Sequence, residues 1–349
     1  MRLDLIAAIE ACYAPIASDA EWMHHLCNAL APLDRGLGLG ARIYDASDPV
    51  RPSGLASWGA EKEAAFARAI GVAGDAMVRA LFWAPPAVTT LWRMTDGLDA
   101  PKIALLRDAL EAVGIHEALG VYGAQPDHRG VLFAVFAERG YALPARTRRV
   151  LGKLSAHLLC AHRLRREGLC GDPGDSRCEA VLDPRGRVED ARGPARERGA
   201  REELASAVRR VERARGRARR VDPEEAAALW HGLVDGTWTL VDHIEADGRR
   251  RVLAVRTSGC NTGERGLTLQ EQEVAAQASI GRSNKYIGYF LGFAPSTVAS
   301  CLDRAARKLG VRSRRDFIRA FANTPPSPPP GRLIHPGSPR PERSARPAR

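Results

Sequence analysis

Leu267-Thr268-Leu269-Gln270-Glu271-Gln272-Glu273-Val274, Gly281-Arg282-Ser283-Asn284-Lys285-Tyr286-Ile287-Gly288, Leu291-Gly292, Pro295-Ser296-Thr297-Val298 and Lys308-Leu309-Gly310-Val311-Arg312-Ser313-Arg314 decide how this chain is read. Start and stop residues divide the stretch into four short helices. Thr268 caps the first, with Glu271 three residues on to complete a capping box, and Gly281 ends it. Ser283 caps a second that runs to Leu291, and Gly292-Phe293-Ala294 makes a tight turn. Pro295 or Ser296 opens a third, stopped by Gly310 after Leu309, and Ser313 caps a fourth that ends near Ala322.

On the third helix Val298, Leu302, Ala305 and Leu309 share an apolar face, expected to pack on the first two helices. Ser296, Ala299, Ser300, Asp303, Arg304 and Arg307 lie opposite. Small polar residues at the N-terminal part of that face suit entry into a DNA major groove, and the arginines suit phosphate where the helix leaves it. Lys285, Arg304, Arg307, Lys308, Arg312 and Arg314 make up the expected phosphate-contacting set.

These residues resemble the LuxR-type family of DNA-binding domains over about 56 positions. The resemblance rests on Leu-Thr, Glu-x-x-Val, Ser-Asn-Lys-x-Ile, Ser-Thr-Val and Lys-Leu-Gly-Val in correct spacing. It implies a helix-turn-helix that reads double-stranded DNA, and it carries Ser283, Asn284, Lys285, Ser296, Thr297, Ala299, Ser300, Asp303, Arg304, Arg307 and Lys308 over to the DNA face. It also implies dimerisation through the fourth helix, where Phe317, Ile318 and Phe321 stand, and a homodimer would match a two-fold DNA site. The chain departs from the family at Gln270 (usually Arg), Gly288 (usually Ala), Ala299 (usually Lys) and Cys301 (usually His). Ala299, Ser300 and Asp303 occupy the base-reading positions, so no cation stands there. Asp303 can accept from a cytosine amino group or pair with Arg307 one turn on.

Charge supports a polyanionic partner at this end of the chain. From Arg265 onward there are fifteen Lys and Arg against five Asp and Glu, which is +10 of the net +11. Seven cysteines without a CxxC or a metal-like spacing fit a reducing compartment, and no signal peptide or membrane span is read, so a cytoplasmic location is expected. Residues 257–265 read as a linker, 266–322 as the helix-turn-helix domain, and 323–349 as a disordered Pro- and Arg-rich tail.

Toward the N-terminus the periodicity predicts helices over Leu3–Ala17 and Glu21–Leu30, the latter capped by Asp19, then a strand Leu39–Tyr44 and a short one at Leu55–Trp58. Helices follow at Glu61–Ile70, Asp75–Leu81 and Ala100–Val113, then paired strands Val121–Ala124 and Gly130–Ala137 and a long helix from Pro144 to Glu167. Helices before and after a small antiparallel sheet resemble a GAF-like sensor domain, assigned to 1–167. A hairpin at Cys178–Val188, helices Glu202–Arg213 and Glu224–Trp230, and a second hairpin of Trp238–Glu245 and Arg251–Arg256 resemble a PAS-like module, assigned to 168–256. The fold class is therefore multidomain α+β, with mixed α/β sensor-like regions followed by an all-α four-helix domain.

Other signals yield to simpler readings. Gly36-Leu37-Gly38-Leu39-Gly40-Ala41 spells a dinucleotide fingerprint, but a helix precedes it and a strand follows, the reverse of what that fold requires. His24, His25 and Cys27 lack a fourth ligand, Cys301 reads as a small half-buried hydrophobe, and the arginines of 209–220 read as a solvated helix face. Neither an enzyme motif nor a cofactor site is read. The sequence thus reads as a transcriptional regulator with double-stranded DNA, a second copy, RNA polymerase and a small-molecule or protein signal as partners. The competing reading is an interaction protein that pairs with or titrates a related regulator without reading DNA.

Overall fold

The computed structural model describes residues 3–34, 36–48, 54–56, 60–96, 98–168, 173–257, 267–311 and 316. Most of the 257–265 linker, the fourth helix with Phe317, Ile318 and Phe321, the cations Arg312 and Arg314, and the 323–349 tail lie outside them.

Helix α1 (Leu5–Cys12) is capped by Asp4, whose carboxylate accepts from the Ala7 amide. It stops well short of Ala17 because Pro15 cannot continue it. Ser18, one residue before the expected cap, starts α2 (Asp19–Leu30). Five antiparallel strands follow in the spatial order β2-β1-β5-β4-β3: β1 (Leu39–Asp45), β2 (Gly54–Ala56), β3 (Val88–Thr90), β4 (Glu117–Ala124) and β5 (Arg129–Ala137). Between them run α3 (Ala60–Ala73), α4 (Asp75–Val78) with a π-helical turn at Arg79–Trp83, α5 (Leu91–Met94) and α6 (Ala100–Glu111). Strand β3 and helix α5 fall where the sequence suggests only a Pro-containing break. Three and four residues are too few to show a period.

The strand period of two sends alternate side chains of β5 to different cores. Val131, Phe133 and Val135 join α1, α2 and α7 (Ala145–Arg166), whereas Leu132, Ala134 and Phe136 join α3 and α6. Helix α7 packs close on β4 because residue 123 is glycine: a Cβ there would lie 2.7 Å from the Leu159 nitrogen.

A second antiparallel sheet, ordered β7-β6-β9-β8, is built from β6 (Cys178–Leu182), β7 (Val188–Ala191), β8 (Trp238–Ile244) and β9 (Arg250–Arg256). Helices α8 (Arg198–Arg213), α9 (Arg219–Val221) and α10 (Pro223–Leu229) complete it, with α8 starting four residues earlier than the Glu202 read from sequence. The two sheet regions share one of their cores. Leu5 and Ile9 of α1, Leu154 and Leu158 of α7, Phe133 of the first sheet and Leu182, Leu240 and Val252 of the second belong to one contiguous buried cluster.

The last described elements are α11 (Leu269–Ser279), α12 (Asn284–Leu291) and α13 (Pro295–Leu309), within a residue or two of the boundaries read from their caps and glycines. They dock directly on α7, whose Ala156, Leu159 and Cys160 share a core with Val274, Ala278, Ile287 and Phe290. Among the described residues no helix is long and apolar enough to cross a membrane.

Candidate nucleic-acid interface

The capping box of α11 is present in full: the Glu271 amide donates to Thr268 Oγ1 at 3.3 Å, and the Thr268 amide donates to Glu271 Oε2 at 2.9 Å. Glu271 does more than cap. Its side chain is 2% exposed and also accepts from Arg304 Nε at 3.2 Å and Lys308 Nζ at 2.7 Å, tying α11 to α13. Burial would raise the carboxyl pKa; the Lys308 ammonium, the Thr268 amide and the Arg304 guanidinium outweigh it and hold the group at about 2.

Ser283 caps α12 by accepting from the Tyr286 amide, and Gly292 ends it in the left-handed conformation, with φ of 78°. The crossing of α12 and α13 is tight. A Cβ on Gly288 would stand 2.6 Å from the Phe293 carbonyl oxygen, so the departure from the family's alanine has a local cause in the turn. Pro295 opens α13 and Gly310, with φ of 68°, ends it.

Helix α13 buries Val298, Cys301 and Ala305 and turns its other side to solvent. Ser296, Thr297, Ser300, Asp303, Arg304, Arg307 and Lys308 are exposed and Ala299 is half-buried, so the face read from sequence is open along its length. Leu302 and Leu309 are only partly covered. Cys301, read as half-buried, is fully buried and accepts from Arg304 Nη2 at 3.0 Å. Arg307 Nε reaches the Asp303 main-chain carbonyl at 3.4 Å, not its carboxylate. Lys285 and Ser283 are exposed at the start of α12 and Asn284 is half-buried. The cations therefore divide into Arg304 and Lys308, held on Glu271, and Arg307 and Lys285, which have no carboxylate partner among the described residues.

The anchoring of this unit to the rest of the chain was not legible in the sequence. Arg163 of α7 pairs with Glu273 of α11 at 3.1 Å, and Arg282 donates to the Pro85 carbonyl at 2.9 Å. Tyr286 Oη lies 3.1 Å from Ser155 Oγ, and Tyr289 Oη donates to the Trp230 carbonyl at 2.6 Å. The Leu233 and Gly236 amides donate to the carbonyls of Phe290 and Leu291. His157, 2.8 Å from Tyr13 Oη and 3.0 Å from the Trp230 carbonyl, sits behind this contact; since a carbonyl only accepts, Nε2 carries the proton. Burial pushes its pKa down to about 3. Because α11 has polar residues on every side, no period marks which of them turn inward.

No curated protein matches the chain. Residues 265–321 match the family described as GerE: Bacterial regulatory proteins, luxR family. This stretch is a LuxR-family helix-turn-helix domain, and the protein carries the DNA-binding unit of that family of bacterial transcription regulators.

Proposed function

We propose that the protein is a sequence-specific transcription regulator in which residues 1–256 receive a signal and pass it to the DNA-binding domain at 266–322. The observation that carries this reading is the position of α12. One side of the helix-turn-helix unit is docked on α7 and on the 230–236 segment, while the outer face of α13 is open to a duplex. A change in how α7 packs would reach the domain directly, without relying on the linker. The reading includes a cytosolic location, a homodimer formed through Phe317, Ile318 and Phe321, GAF-like and PAS-like character for 1–167 and 168–256, and RNA polymerase as a further partner. It assigns no catalytic activity.

The test is selection of the full-length protein on a random duplex DNA pool at two salt concentrations. The intact chain is used because α11 and α12 share a core with α7. Enrichment of a two-fold symmetric site is the expected result. Retention that depends on salt but enriches no sequence would sink specific recognition and favour a protein that pairs with or titrates a related regulator. One observation leans that way: Arg304 and Lys308 are drawn onto Glu271.

A further inference from the structure

We infer that the cavity between α7, α10 and α12 binds a small monoanionic amphiphile, one acidic headgroup on an aliphatic or aromatic body. Its volume of about 690 Å³ lies in the range of small-molecule sites. Among the described residues five cations line it, Arg148, Arg149, Lys153, Arg282 and Lys285, against one carboxylate, Glu224. That carboxylate is already engaged by Arg146 and lies 4.0 Å from Arg149. Arg148 and Lys285 are exposed and have no acidic partner among the described residues. Lys153 donates a hydrogen bond to the Glu224 main-chain carbonyl at 2.6 Å, and burial together with the nearby Lys285 charge lowers its pKa. Like charges gathered in a concave site leave an excess that an anion relieves.

Apart from His231 and Ser283 the remaining wall is mostly apolar, with Val150, Tyr289 and Phe293 beside the cations, which suits a hydrophobic body better than a phosphate backbone. Gly152 keeps part of this space open. It stands in the interior of α7, where glycine is unfavourable, and a Cβ built on it would meet nothing within 4 Å. A ligand here would join α7 and α10 to α12 and engage Lys285, one of the cations expected on phosphate, so its binding should lower DNA affinity. This last step, unlike the site itself, rests on the regulator reading above.

The test uses the full-length protein and the fluorescence of 8-anilinonaphthalene-1-sulfonate, displaced by decanoate or by decyltrimethylammonium. Decanoate should displace the probe and the cationic chain should not. Arg148→Met/Lys285→Met and Gly152→Phe should each weaken decanoate by about tenfold or more, through lost charge and lost volume respectively. Arg185→Met/Arg187→Met, on an exposed turn of the second sheet, should leave it unchanged. Equal displacement by both amphiphiles, or unchanged decanoate binding in both cavity variants, would overturn the proposal. Displacement by a short duplex DNA but not by decanoate would also overturn it and make the groove a phosphate track. Decanoate binding without any change in affinity for the selected DNA would leave the site standing and sink the signal-control reading alone.

Discussion

Arg163 and Glu273 form an ion pair of 3.1 Å with side chains only 4% and 5% exposed, joining the long helix α7 to the first helix of the DNA-binding domain. The Arg163 guanidinium also lies 5.1 Å from the centre of the Phe290 ring. Removing one partner of a buried pair leaves a desolvated charge, at a cost of about 3–5 kcal/mol, whereas an apolar pair of similar volume is often neutral. Glu273→Ala should therefore loosen α11 to α13 from α7, seen as faster amide exchange across 269–309. Arg163→Met/Glu273→Leu should restore most of the protection. Unchanged exchange in the single variant would mean that the docking does not depend on this pair.

Glu271 links the cap of α11 to two cations of α13, and its loss should be felt as stability before it is felt as binding. Glu271→Ala should cost about 2–3 kcal/mol, combining a lost cap with two charge-assisted bonds. The carboxyl is held at about 2, below its ordinary 4.5. Its contribution is therefore complete above pH 4.5 and falls away as pH drops toward 2. Urea unfolding from pH 6 to pH 3 should show this loss in the native chain and a shallower one in Glu271→Gln.

Arg307 and Arg304 should behave differently although both stand on the exposed side of α13. Arg307→Ala should lower the salt dependence of DNA binding by about one ion equivalent without affecting stability. Arg304→Ala should lower the unfolding midpoint as well, because its guanidinium bonds Glu271 and Cys301. Equal melting temperatures for the two variants would show that the Glu271 clamp contributes nothing in solution.

Two glycine substitutions should have opposite signs. Gly288→Ala, which restores the family's usual residue, drives a Cβ to 2.6 Å from the Phe293 carbonyl oxygen and should destabilise by about 1–3 kcal/mol. Gly152→Ala adds a methyl group where nothing stands within 4 Å and should stabilise by about 0.5–1 kcal/mol. Thermal melts of both decide the point.

His157 and His162 are buried and neutral, each pushed down to about 3 from 6.5 by loss of hydration. The unfolded chain takes up these protons first, so stability contributed by keeping them neutral is present above pH 6.5 and erodes as pH falls below it. His157→Gln should flatten the dependence of unfolding free energy between pH 6.5 and 5 by up to about 1.4 kcal/mol per pH unit. A slope identical to that of the native chain would show that His157 remains accessible to protons in the folded state.

Caps and glycines made the boundaries of α11, α12 and α13 readable, because Thr268, Ser283, Pro295, Gly292 and Gly310 act through bonds and dihedrals within a few residues. The exposed face of α13 was readable for the same reason: a helical period fixes which side chains share a side. Strands β4 and β5 were found through the Gln125–Arg129 turn, although β4 begins at Glu117, earlier than the Val121 suggested by its sequence. The GAF-like and PAS-like assignments rest on element order alone.

The sequence by itself determined the local features: the turn chemistry of the last three described helices, the polar outer face of α13 and the concentration of positive charge beyond residue 265. Only the tertiary structure decided which charges are available to a partner. Arg304 and Arg307 are alike in sequence, yet one is held by Glu271, thirty-three positions away, and the other is not. Arg163 and Glu273 stand 110 positions apart and meet beside the core that α7 shares with α11 and α12. Contacts at such separation depend on which faces are buried together. A helix such as α11, polar on every side, carries no periodic signal of that choice.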